Sequence, residues 1–431
     1  MTASARGRWI VAAGTLLIVV ATLTPGTYIA SSSRVCLVCG VQGGVDVILN
    51  VLLFLPLGVG LSQLRLRVPA ALALILGTTL SIELLQVLVI PGRDASLGDV
   101  VMNSVGGLLG LYAGRGASGA LRPSQGAAAY LAVAWLALWL AVQAAIGFTF
   151  TPIVPGPPYY GQIARPASAA RSEFPGRVLS ANVGPETLSK GSLQNAAQVR
   201  AMLGRPEGSL SEVMVIPAGP SAGRAEIVVI SGPEMEGVLS FEQVGRSLVF
   251  GQRTGAEVLR LRPYEYRLSA AFDSIAESSR DTLWLRGSYT PSQVLVGATS
   301  RGDDRERRFV PRLSQGWIVL APLPSYIDGD VLELAASAAF LILLVLPAGY
   351  WLMLATRPGA DTARLRKPWL LAVCALVLSV GFVVVPRLFA MQPAALWEWG
   401  CVVTGALLGA VIARSLTPAP RDLAHGQRVA A

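Results

Sequence analysis

Histidine is nearly absent from this 431-residue chain. The one histidine, His425, lies in the C-terminal tail, which leaves neither a Ser-His-Asp triad nor a His-based zinc site. Cysteine is scarce too, at four residues. Cys36 and Cys39 form a C-x-x-C pair in one loop, where a possible disulfide, a free pair or a redox centre all fit. No zinc site follows, because Cys374 and Cys401 fall in distant apolar runs. No metal is assigned, and no cofactor can be named. A phosphate-binding glycine loop and a dinucleotide fingerprint are both missing.

Charge is the other shortage. Only 14% of residues are charged while 53% are hydrophobic, too apolar for an ordinary soluble protein. Most of that charge lies between residues 151 and 330, with the two signs nearly balanced. The net +9 therefore comes almost wholly from the flanks. No basic stripe with interleaved aromatics accompanies it, so nucleic acid is not an expected partner.

What fills the flanks is apolar sequence. Runs at 9–23, 45–61, 68–90, a short one at 99–114, then 127–148, 331–354, 369–385 and 396–413 are tested against the roughly 20 residues that cross a bilayer as a helix. The expectation is a polytopic α-helical membrane protein of about eight spans. Arg6 and Arg8, Arg65 and Arg67, Arg115 and Arg122, Arg357 to Lys367, and Arg414 to Arg428 fall on alternate connections. The positive-inside rule then puts both termini in the cytoplasm and residues 151–328 outside the cell's plasma membrane. A cleaved signal peptide is the alternative for the first run, though "TLTPG" breaks it without a clear A-x-A.

Residues 151–328 lack helical periodicity. Short alternating runs such as "SEVMVI", "AEIVVIS", "DTLWLRG" and "GWIVLAP" are punctuated by Gly, Pro, Ser and Asp, the pattern of an all-β sandwich. The order of "RSLVFGQRTGAEVLRLRP" and "DTLWLRGSY" resembles a concanavalin-A-like or laminin-G-like jelly roll. Trp284, Trp317, Tyr159, Tyr160, Tyr264, Tyr266 and Tyr289 are candidates to stack on sugars, against the plainer reading that most are core or edge aromatics. Paired carboxylates at glycosidase spacing do not stand out.

Few acidic residues lie outside that segment, and four of them, Asp46, Glu83, Asp94 and Asp99, cluster at one end of spans two to four. Asp46 and Asn50 are i,i+4, Glu83 and Gln86 are i,i+3, and Asp99 and Asn103 are i,i+4. Each helix thus carries a carboxylate and an amide on one stripe. A carboxylate at that depth costs a few kcal/mol unless paired, protonated or hydrated. Arg93 is the nearby cation in sequence. These eight residues are expected to line an outward-facing acidic pocket for protons, a cation or a cationic ligand group; the plainer reading is hydrogen-bonded helix joining.

The same positions carry a family resemblance. Asp46-x-x-x-Asn50-x-x-x-Phe54-x-Pro56-x-Gly58, Glu83-x-x-Gln86, Arg93, and Asp99-x-x-x-Asn103-x-x-Gly106-x-x-x-Gly110 resemble the VanZ-like family over about residues 10–115. That resemblance implies a small polytopic membrane domain of the bacterial cell envelope, from a family named for glycopeptide (teicoplanin) antibiotic resistance. The sandwich and the C-terminal spans lie outside it.

The expected division is 1–126 for a VanZ-like four-helix domain, 127–150 for a fifth span, 151–328 for the sandwich, 329–415 for three spans and 416–431 for a tail. "EWGCVVTGALLG" (398–409) echoes "DVVMNSVGGLLG" (99–110), with Val402 in place of Asn103. Chance similarity or shared packing chemistry is favoured over a degenerate copy. Two functions fit. One is a membrane protein that binds cell-wall glycan or a lipid headgroup. The other is an intramembrane enzyme or transporter for a lipid-linked substrate. Catalytic residues and oligomeric state are not specified by the sequence.

Overall fold

A computed structural model describes residues 3–23, 35–36, 42–90, 95–168, 171–273, 281–301, 303–321, 326–357 and 361–416. The chain divides into two compact units. The first comprises residues 1–115, 148–333 and 389–392, and the second residues 116–147, 334–388 and 393–431.

The long helices are α1 (Ala3–Leu23), α2 (Gly43–Gln63), α3 (Val68–Leu88), α4 (Leu97–Leu121) and α5 (Gln125–Thr149). Beyond the β-region, which holds two short helices, α6 (Ala196–Leu203) and α7 (Gly255–Val258), come α8 (Val331–Ala355), α9 (Asp361–Ser379), α10 (Val385–Leu388) and α11 (Leu396–Leu416). A π-helical turn, Val380–Val384, joins α9 to α10. Among the described residues, seven helical spans are long and apolar enough to cross a membrane, which makes this a membrane protein. The fourth expected span, α4, has the length at 25 residues but not the hydropathy. Asp99, Asn103, Arg115 and its many glycines dilute it.

Those glycines explain α4's place. Side chains on Gly106 and Gly110 would run into the Val51 and Leu55 carbonyl oxygens of α2, and one on Gly58 would meet the Gly107 carbonyl of α4. The two backbones are in direct contact, which small residues alone permit. Phe54, Leu57, Leu61, Ile75, Ile82 and Leu111 then fill the core with Ile18 of α1.

The β-region is a two-sheet antiparallel sandwich, as its alternation predicts. Its strands are β1 (Tyr160–Ile163), β2 (Gly176–Val183), β3 (Glu186–Thr187), β4 (Gly191–Ser192), β5 (Ser211–Pro217), β6 (Arg224–Ser231) and β7 (Gly237–Val244). They continue as β8 (Ser247–Gln252), β9 (Glu265–Leu268), β10 (Leu283–Thr290), β11 (Gln293–Ser300) and β12 (Asp303–Phe309). One six-stranded sheet has the order β9-β8-β7-β6-β1-β4 and the other β12-β11-β10-β5-β2-β3. Phe241, Phe250, Tyr266, Leu285, Tyr289 and Val296 are buried in the core. Gly287 lets β10 approach, because a Cβ there would strike the Phe250 ring.

Charge is also buried in the first sheet. Glu226 and Glu242 sit directly opposite each other on β6 and β7, a destabilising pairing by itself. Arg171 and Arg165 both bridge to Glu226, and Arg224 bridges to Glu242 and Glu265. Burial works against the Arg224 charge, but Glu265 and then Glu242 outweigh it and raise the guanidinium's pKa.

The sandwich is rooted in the helices of its own unit. Phe150 stacks on Tyr264 at 3.8 Å, Tyr289 donates to the Phe150 carbonyl at 2.7 Å, and Thr149 bonds the Tyr264 hydroxyl at 2.9 Å. Where the chain leaves, Ile327 pairs with Tyr266 and Gln315 donates to Glu333 at 2.6 Å. The amide of Gly44, at the start of α2, donates to the Arg260 carbonyl at 3.0 Å.

Two outcomes follow. Gly106→Leu and Gly110→Leu should each lower the yield of monodisperse protein in detergent, whereas Gly116→Ala, in open space on the same helix, should be neutral or stabilising by about 1 kcal/mol. Arg224→Met should destabilise by about 3 kcal/mol, because it strands buried carboxylates; thermal unfolding of the full chain measures it.

Candidate functional site

The polar residues of α3 and α4 meet in two rungs. In the first, the Ser96 backbone N–H donates to the Glu83 carboxylate at 2.8 Å. Ser96 is held there because Ala95–Ser96 pairs in parallel with Val35–Cys36. The Ser96 hydroxyl in turn accepts the Asp99 N–H at 3.2 Å, an N-cap for α4. In the second rung, the Asn103 amide donates to the Thr79 hydroxyl at 2.8 Å. The rungs run in register because Thr79 and Glu83 are i,i+4 on α3, as Asp99 and Asn103 are on α4.

Glu83, Ser96, Thr79 and Asn103 are all buried, Glu83 at 7% exposure and Asn103 at 1%. Gln86, also buried, donates to the Thr22 carbonyl at 3.0 Å and ties the end of α3 to the last turn of α1. Asn50 and Asp99 are half-buried and Asp46 is exposed, two residues beyond the Gly44 contact with the sandwich. Arg93, Asp94 and Cys39 lie outside the described residues, as does the side chain of Cys36, so the pairing of Cys36 with Cys39 falls there too.

Chemically the centre is rich in acceptors. Glu83 carries a carboxylate that receives one backbone donor, and Asn103 Oδ1 is buried with no hydrogen-bond partner among the described residues. An unsatisfied buried acceptor costs about 1–3 kcal/mol. Among the described residues, no group of three or more His, Cys, Asp or Glu side chains is placed to hold a metal ion. Thr79 and Ser96 were not among the residues singled out from sequence. The available signals were Thr79 one turn before Glu83 and the Ser-x-x-Asp cap before α4.

In the sandwich, Tyr159, Tyr264, Tyr266 and Tyr289 are buried core residues, and burial raises the pKa of each phenol. Trp284 is different. It is 41% exposed between Met214 and Thr299 on neighbouring strands. A cavity of about 410 Å³ lies elsewhere on the sandwich, lined by Pro152, Val154, Ala197, Arg200, Ala201 and Gly204.

Glu83→Ala should destabilise the protein by about 1–3 kcal/mol more than Glu83→Gln, since glutamine keeps an acceptor for the Ser96 amide. Thermal unfolding of both variants in lipid nanodiscs checks this.

No curated protein and no solved structure matches the chain. The family model described as VanZ/LLP1 matches residues 9–115, the stretch that holds both rungs. Over residues 9–115 the N-terminal membrane segment is therefore similar to the VanZ/LLP1 family.

Proposed function

We propose that the chain is a binding protein of the bacterial plasma membrane, with the sandwich on the outer side. Its centre between α3 and α4 holds the donor-bearing headgroup of an envelope lipid, an amine or a set of hydroxyls. The observation that carries this is the buried, unpartnered Asn103 Oδ1 beside the buried Glu83 carboxylate. An ammonium or sugar hydroxyl would satisfy the first and neutralise or bond the second. The sandwich would hold cell-wall glycan through Trp284, whose exposed ring offers a stacking face. Its base is joined to α2 at Gly44, close in sequence to Asp46, which favours one envelope component reaching both.

The test is native mass spectrometry of the full chain in nanodiscs made with and without phosphatidylethanolamine. The wild-type chain should retain the amine lipid, and Glu83→Gln and Asn103→Leu should each lose at least tenfold in retention. Equal retention by all three would remove the lipid half of the proposal. Unchanged binding of Trp284→Ala to an array of cell-wall glycans would remove the other half.

A further inference from the structure

The second unit repeats the helix contacts of the first at matched positions. In α2 and α4, glycine positions touch backbone at Val51 with Gly106, Leu55 with Gly110, and Gly58 with Gly107. In α8 and α11 the contacts are Ile342 with Gly405, Leu346 with Gly409, and Gly349 with Ala406. One constant sequence offset carries Val51, Leu55, Pro56 and Gly58 onto Ile342, Leu346, Pro347 and Gly349. A second constant offset carries Pro69, Leu97, Asp99, Gly106, Gly110 and Arg115 onto Pro368, Leu396, Glu398, Gly405, Gly409 and Arg414. Under it α11 begins at the position matching the start of α4. The first helices also correspond at their ends, where "TLTP" (22–25) is matched by "TFTP" (149–152).

The turn before the last helix also closes back on the third helix in both units, though by different bonds and one residue out of register. In the first unit Ser96 N–H reaches back to the Glu83 side chain. In the second, the Ala394 N–H reaches the carbonyl of Phe382 at 2.9 Å, and Phe382 stands at the position of Glu83. Glu398 then accepts the Ala395 N–H at 2.6 Å, capping α11 where Ser96 caps α4.

We infer that the second unit is a degenerate copy of the VanZ-like four-helix unit, with the sandwich inserted between its first and second helices and its polar centre replaced by apolar side chains. Asn50, Thr79, Glu83, Gln86 and Asn103 correspond to Leu341, Leu378, Phe382, Val385 and Val402. Leu341, Phe382 and Val402 pack in a single buried cluster with Val345 and Trp139. The positions that carry polarity in the first unit thus converge in the second, where they are filled with hydrocarbon. Each chain thus keeps one polar centre, in which Thr79 is the positioning residue for Asn103.

The assignment of that centre rests on the proposed function, whereas the duplication does not, and one experiment separates them. The residues of the copy are moved into the first unit of the full chain as Asn50→Leu, Thr79→Leu, Glu83→Phe, Asp99→Glu and Asn103→Val together. Asp99→Glu supplies the cap that Glu398 provides in the copy. Matched positions predict a monodisperse protein in nanodiscs whose Tm lies within about 5 °C of the wild-type chain, with retention of phosphatidylethanolamine lost. Aggregation or a larger fall in Tm would overturn the duplication. A stable variant that still retains the lipid would leave the duplication standing and refute the site.

Discussion

The arrangement of the first unit depends on how closely α4 can approach α2. With no hydrophobic effect to press apolar helices together inside lipid, contact depends on van der Waals fit and hydrogen bonds. Gly106 and Gly110 let carbonyls of α2 lie where side chains would otherwise stand. That contact fixes the rotation of α4 about its axis. Asp99 and Asn103 are then placed by the helix period, and the partners they meet on α3 are a consequence. The same constraint explains why α4 is the least apolar of the first five helices: each glycine that permits the approach also dilutes its hydropathy.

Inside that frame a carboxylate needs a reason to stay. Among the described residues Glu83 has one donor, the Ser96 backbone, and the Asn103 amide donates to Thr79 while its oxygen has no partner. Among the described residues these two acceptors exceed the donors beside them, the excess on which the proposed binding of a donor-bearing headgroup rests. The sandwich adds a second surface, held by aromatic stacking and hydrogen bonds at the points where its chain arrives and departs. Its buried Arg–Glu network keeps the first sheet's facing glutamates compatible with folding.

Much of this was legible beforehand. Apolar runs located the helices, and alternation with Gly and Pro punctuation located the sandwich. Helical spacing put Glu83 with Gln86, and Asp99 with Asn103, on shared stripes. Spacing says which side chains share a face but not what that face meets. Asp46 is therefore exposed at the head of α2, and the roles of Thr79 and Ser96 follow only from the packing of α3 against α4. The echo between residues 99–110 and 398–409 was visible as letters, but it read as packing chemistry. The long sandwich separates the two copies, and the offset changes between α8 and α9, so no single alignment register spans the repeat. Backbone contacts of glycines restored the register.

The central claim, that Glu83 and Asn103 hold a donor-bearing ligand, is tested most directly by an experimental structure of the full chain in native envelope lipid. Non-protein density is expected within hydrogen-bonding distance of Asn103 Oδ1, facing Glu83. Finding both groups enclosed by protein atoms alone, with Asn103 Oδ1 bonded to another helix, would contradict it.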